Sequence, residues 1–312
     1  QNSLFVQGDC ERFSKVWAQD QPWETGFVYS RIANPTLDVV ERKIAALEHC
    51  EEAKVFGSGM AAISAAVFSC VESGSHVVLV DTVYGPTKQL LCSYLARFGV
   101  TTTLVEGTCV DEIFDAVRPE TSLIFLESPS SFLFHLQDLE AVCQFAKQRG
   151  IATAIDNSCC SPIYQNPADS GVDLVLHSAT KYLAGHSDLT AGVICCSSER
   201  MAKIRQNELA LFGGVLAPLP AWLLLRGMRT LSIRMKAHNE NGMRVAAWLE
   251  DRPEVSRVFY PGLPSHPQRE LIAKQQRGFG GLLSFEPKVQ DDAKVKAFAD
   301  SLRLFQLGVS WG

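Results

Sequence analysis

The sequence predicts an α/β protein: a mostly parallel sheet covered by helices on both faces, followed by a smaller α+β domain. Three observations carry this. From about residue 54 to 200, short apolar runs alternate with stretches of amphipathic helical spacing, the pattern of successive strand–helix–strand units. Beyond about residue 230 the pattern changes to one long helical stretch, then "RVFYPG", then "GGLLSFEP". The chain has 312 residues, 46% hydrophobic and 20% charged, enough for a large core and a second, smaller one.

In chain order, the first element is a helix with an apolar stripe of Leu37, Val40, Ile44 and Leu47, with Thr36 as its N-cap behind Pro35. Seven strands follow as "AKVF", "HVVLVD", "TTTLVE", "SLIFLES", "IATAID", "LVLHSA" and "GVICCS". Helices are expected between them at 86–98 and 138–149. In such sheets, ligands sit outside the carboxyl ends of the strands. That rule selects Asp81, Glu127, Asp156 and Ser178, each at or near a strand end.

Charge and cysteine usage narrow the function. A net charge of −5 gives no basic footprint for nucleic acid or an anionic membrane. No apolar run has the length of a membrane span, and no secretory signal opens the chain. The ten cysteines form no C-x-x-C, and many sit in apolar runs such as "FSCV" and "GVICCS", where a free thiol packs as a small hydrophobe. A reduced, cytoplasmic protein is therefore expected, and no His/Cys cluster has zinc spacing.

Two cofactor readings compete for "FGSGMAA", residues 56–62. Gly57, Gly59 and Ala62 satisfy G-x-G-x-x-A, and Asp81 ends the next strand, which is the outline of a dinucleotide site in an NAD-binding oxidoreductase. The same loop can instead hold one phosphate at a helix N-terminus. In that case Lys181, in "LVLHSATKYLAGHSD", becomes an amine for pyridoxal phosphate (PLP). Taken alone, Lys181 reads first as a lysine whose head snorkels to solvent. PLP chemistry also needs an acid on the pyridine nitrogen, phosphate donors and an aromatic over the ring. Asp156, the pair Ser178 and Thr180, and Tyr84 stand at strand ends where they could serve. Taken singly, Asp156 is equally a turn or cap and Tyr84 a half-buried loop aromatic.

At this point the chain resembles the Cys/Met-metabolism family of PLP enzymes. The resemblance rests on "YSRIANPT" (29–36), "GSGMAAI" (57–63), "DTVYGPT" (81–87), "IDNSCCSPIYQNP" (155–167), "SATKYLAGHSD" (178–188) and "GFGGLLSFE" (278–286), in order and spacing along essentially the whole chain. It implies the type I, aspartate aminotransferase-like fold, and PLP as cofactor. It makes Lys181 the Schiff-base lysine, Asp156 the partner of the pyridine nitrogen and Tyr84 the stacking ring. Gly59 and Met60 then supply backbone donors to the phosphate, with Ser178 and Thr180. Tyr29 and Arg31 resemble the pair that reaches the phosphate in a neighbouring subunit, a task suited to a guanidinium fork. The resemblance implies a homotetramer, a dimer of dimers with shared sites, and small amino-acid substrates.

The resemblance further implies cleavage of cystathionine or a related sulfur amino acid by β- or γ-elimination, with γ-replacement on an activated homoserine ester as the alternative. Methionine γ-lyases carry cysteine two residues after the stacking tyrosine, where this chain has Pro86. Ser131 in "ESPSSF" and the final "GVSWG" look more like bacterial cystathionine β-lyases, whereas "YSRIANPT" is closer to the γ-enzymes. Three regions are expected: a partial N-terminal arm (1–33), a large PLP-binding domain (34–230) and an incomplete C-terminal domain (231–312). Relative to the family pattern, an arm should precede Gln1, and a substrate loop with a carboxylate-binding arginine should follow "SWG".

Overall fold

The computed structural model describes residues 2–18 and 26–312; part of the expected N-terminal arm, residues 19–25, lies outside them. All seven expected strands form one sheet. They are β1 (Glu52–Phe56), β2 (His76–Val80), β3 (Thr101–Val105), β4 (Thr121–Glu127), β5 (Ala152–Asp156), β6 (Leu174–His177) and β7 (Gly192–Cys196). Their order is β1-β7-β6-β5-β4-β2-β3. From β2 to β6 every pairing is parallel, and β7 runs antiparallel to both β6 and β1.

Burial explains why these segments were readable. Every residue of β1, β2, β5, β6 and β7 is buried, as expected for strands covered on two faces. β3, the edge strand, carries "TTT" instead, and its threonines are partly exposed. The winding diverges at β2: β3 lies on one side of it, while β4, β5 and β6 step away on the other. A crevice is expected at the carboxyl ends where the winding diverges.

Two local expectations need correction. The first long helix, Pro35–Leu47, is capped by Asn34, whose side chain accepts from Thr36 N at 3.0 Å. Thr36 is not the cap, because Pro35 takes the first helical position, where its missing N–H costs nothing. The expected helix 86–98 is not continuous. An α-helix spans Gly85–Gln89, widens to a π-turn over Leu90–Tyr94 and tightens to a 3₁₀ turn over Leu95–Phe98. Leu91 and Leu95 stay buried throughout, so the apolar spacing survives a change of helix type. The helix Leu139–Gln148 is as expected, with Asp138 capping Ala141 N at 3.1 Å.

After residue 230 come the helix Leu231–Glu250 and a separate antiparallel pair, β8 (Val255–Phe259) with β9 (Ser284–Pro287). Ala246, Tyr260 and Leu263 form a small apolar cluster there, and Tyr260 Oη donates to Gly280 O at 2.8 Å. We propose that this second cluster marks the smaller domain, beginning at residue 231. No helix among the described residues is long and apolar enough to cross a membrane. All ten cysteines are free thiols, and Cys143, Cys160, Cys195 and Cys196 are buried.

Candidate active site

Two carboxyl groups stand side by side where β4 and β5 end, because the register pairs Glu127 with Asp156. Asp156 is buried, and its Oδ1 accepts from Ser158 N at 2.9 Å. Glu127 accepts from Tyr84 N at 2.8 Å and from Ser131 Oγ at 2.6 Å. Burial first, and the neighbouring Asp156 second, push Glu127 up to about 8, against the pull of those two hydrogen bonds. The crevice between β2 and β4 is therefore bridged by one carboxyl that holds the loop after β2 to the loop after β4.

Lys181 lies in the turn that leaves β6, and Lys181 N donates to Ser178 O at 3.0 Å. Its amine is not extended into bulk water: Nζ donates to Ser310 Oγ at 2.8 Å and lies 5.4 Å from the Trp311 ring centre. Burial lowers its pKa from the ordinary lysine value, and the Asp156 carboxylate acts in the opposite sense. The chain just beyond it is clamped. Arg234 Nη1 donates to Tyr182 O at 2.8 Å, and Gly185, at φ +67°, lies where any Cβ would collide with that guanidinium. Tyr182 Oη accepts from Gly281 N at 2.7 Å, so the segment between β8 and β9 also helps to fix the lysine's turn.

The helix Gly59–Phe68 begins beside this turn. Ser58 Oγ accepts from Ala61 N at 3.1 Å and Ser58 O accepts from Ala62 N at 3.2 Å. That leaves the N–H groups of Gly59 and Met60 as the open donors of the first turn. A Cβ at Gly59 would lie 3.0 Å from Ser178 Cβ and Oγ, so the glycine lets the Ser178 hydroxyl approach those donors. Two backbone N–H groups and one hydroxyl converging at a helix N-terminus fit a single phosphate. With a desolvated amine and a buried carboxylate alongside, the cluster fits PLP. Thr180 differs from expectation, since its hydroxyl donates to Ala191 O at 3.2 Å and accepts from Ala191 N at 3.0 Å. It ties the lysine turn to the start of β7.

Tyr84 precedes the short helix Gly85–Gln89 and is about half exposed, at 47%, with its backbone N–H fixed by Glu127. Tyr29 and Arg31 are not gathered into this cluster. Arg31 Nη1 donates to Ala210 O, and its guanidinium lies 5.5 Å from the Tyr29 ring centre. Both are exposed, and neither makes a hydrogen bond or ring contact with Gly59, Met60, Ser178 or Lys181 among the described residues. Asp81, the acid of the dinucleotide reading, is exposed and paired with Lys88.

Residue-by-residue reading gave no role to Ser158, which links Asp156 to the lysine turn by accepting from Ser178 N at 2.7 Å. Its position two residues after a strand-end acid was the available signal. Buried His177, just before Ser178, was likewise passed over as part of an apolar strand.

Comparison with known proteins agrees with the geometry. A family model described as Cys/Met metabolism PLP-dependent enzyme matches residues 1–312. The chain is 41% identical over 288 residues to a cystathionine gamma-lyase of Bacillus subtilis, covering 92% of this chain and 75% of that protein. It is 41% identical over 295 residues to a cystathionine beta-lyase of Lactococcus lactis, covering 94% and 76% respectively. The crystal structure of cystathionine gamma-lyase from Lactobacillus plantarum complexed with L-serine superposes with a TM-score of 0.90 at 36% identity, over 99% of this chain and 77% of that one.

Proposed function

Because the chain belongs to the Cys/Met metabolism family of PLP-dependent enzymes, we propose that it cleaves the carbon–sulfur bond of cystathionine, or of a related sulfur amino acid, by β- or γ-elimination. The observation that carries this is the half-buried Lys181 amine, held at Ser310 and Trp311, in the turn whose Ser178 lies against Gly59 at the open first turn of the helix Gly59–Phe68. When bound, PLP supplies an aldehyde for covalent capture of an amine and a protonated pyridine ring that draws electron density from the amino acid's Cα.

The chain's own residues supply the rest. Gly59, Met60 and Ser178 hold the phosphate end, with Thr180 shaping the turn. Asp156 keeps the proton on the ring nitrogen, and Ser158 holds Asp156 in place. Tyr84, its backbone anchored to Glu127, would cover one face of the ring. Lys181 takes the Cα proton. Burial lowers its pKa, which makes the neutral amine, the form that accepts a proton, easier to reach. γ-Elimination also requires a proton to leave Cβ. Lys181 Nζ lies by Ser310 and Trp311, so the choice between the two eliminations is assigned to that loop and to Pro86 and Ser131.

Exposed Tyr29 and Arg31 support a site shared with a neighbouring subunit, and so at least a dimer; the homotetramer, a dimer of dimers, rests on the family resemblance. The ten free thiols support a reducing, cytoplasmic setting.

Two measurements test the reading. Borohydride reduction of the yellow protein should fix the cofactor on Lys181; a colourless protein, or a label elsewhere, overturns the site. With cystathionine, homocysteine plus pyruvate identifies β-elimination, and cysteine plus 2-oxobutyrate identifies γ-elimination. Reaction only with an activated homoserine ester and a thiol would replace the lyase reading by γ-replacement.

A further inference from the structure

The strand ends that carry the site are joined from beneath by one buried carboxylate that the reaction does not use. Glu48, just past the C-terminus of the helix Pro35–Leu47, is wholly buried at 0% exposure. Its Oε1 accepts from His177 Nε2 and from Asn157 Nδ2, the latter at 2.9 Å. Its Oε2 meets no hydrogen-bond partner among the described residues, so both interactions converge on one oxygen.

The two donors are placed tellingly. Asn157 directly follows Asp156, and His177 directly precedes Ser178. Asn157 is fully committed: Nδ2 also donates to Gln165 O at 3.0 Å, and Oδ1 accepts from Gln165 Nε2 at 3.1 Å. Its backbone N donates to Leu176 O at 2.8 Å, which adds a direct tie to β6. The amide therefore has one orientation, and the carboxylate it serves has little freedom to move.

A buried ionisable group held this way is costly to remove alone, since its donors are left unpaired in a dry environment. It is also rigid, and rigid outer contacts set the position of inner ones. We propose that Glu48 is a positioning residue for cofactor binding: by joining Asn157 to His177 it stiffens the separation between Asp156 and the Ser178–Lys181 turn that Ser158 and the Asn157–Leu176 backbone bond already span. PLP must reach both at once, at its ring nitrogen and at its phosphate and aldehyde. This rests on the PLP reading above.

The test is titration of the apo form of the full chain with PLP, following the visible band of the bound cofactor and the pH at which that band converts. If the wild type takes up no PLP, the PLP reading itself fails. Given wild-type uptake, Glu48→Gln should weaken PLP binding about tenfold to a hundredfold, the scale seen for outer contacts of bound groups, and should move the pH midpoint of the band. A merely structural role would lower the thermal midpoint of the apo form and leave the band's pH midpoint in place. His177→Gln keeps an N–H near the Nε2 position, and His177→Leu removes it. These two variants decide the matter even if Glu48→Gln does not fold. His177→Gln should stay within about threefold of wild type, whereas His177→Leu should show the full loss, the size expected when one buried hydrogen bond goes and its partner is left unpaired. Equal PLP affinity and equal band behaviour for the two His177 variants would overturn the proposal.

Discussion

Replacing Glu127 by glutamine should change how stability depends on pH more than it changes stability at any one pH. Glu127 is buried beside Asp156 and pushed from an ordinary 4.5 up to about 8. Its folded-state pKa therefore lies above its unfolded value, so the folded chain holds a proton that the unfolded chain releases. Stability from this group is full below about pH 4.5 and is lost as pH rises towards 8. The loss approaches on the order of 1 kcal/mol per pH unit inside that window, or a few kcal/mol across it. Glutamine cannot ionise and removes this slope. It also puts an NH2 where one oxygen stood, so either Tyr84 N loses its acceptor or Ser131 Oγ must accept instead of donate, which costs about 1–3 kcal/mol. Urea unfolding of the two apo proteins at intervals from pH 5 to 9 should therefore give curves that converge and then cross, the variant being weaker at low pH and relatively stronger at high pH. Parallel curves would refute the reasoning, because they would mean that Glu127 carries no extra proton in the folded chain.

Gly59→Ala places a methyl 3.0 Å from Ser178 Cβ and Oγ. Urea unfolding should show stability changed by less than about 1 kcal/mol, since alanine suits a helix, while PLP affinity in the visible titration falls roughly tenfold through a displaced hydroxyl donor. Undiminished affinity would remove Ser178 from the phosphate site. Mixing inactive Lys181→Ala with inactive Arg31→Ala should restore part of the activity through hybrid sites. No rescue after demonstrated subunit exchange would place Arg31 outside the site.

The parts of the fold legible in the sequence are those where one segment's burial decides its own structure. "HVVLV", "IATAID" and "GVICC" are apolar at every position because both faces of the sheet are covered, and no partner need be known to see it. The end of each run marks where polar chemistry becomes possible, so Asp156, Ser178 and Lys181 were visible as a set. Tyr29 and Arg31 were visible only through a motif, since nothing in this chain alone explains why an arginine should sit there. The breaks in the helix after Tyr84 were hidden for a related reason. Leu91 and Leu95 keep the spacing of a regular helix while the turns between them widen and then tighten.

Glu48 shows where such reading ends. It is one glutamate in "ALEHCEE", with two more directly after Cys50, and nothing local distinguishes it from them. His177, its partner, lies 129 residues away. They meet because the helix Pro35–Leu47 packs on β1 and β7 and delivers Glu48 to the residues at the ends of β5 and β6. Burial of Glu48 is thus a consequence of three elements arriving together, whereas burial of Ile155 follows from its own strand. A buried charge needs partners to be tolerable, and partners separated so far in the chain are chosen by register and packing. An acid of this kind becomes recognisable only after the register of Asp156 with Leu176 has placed Asn157 and His177 on the same carboxylate oxygen.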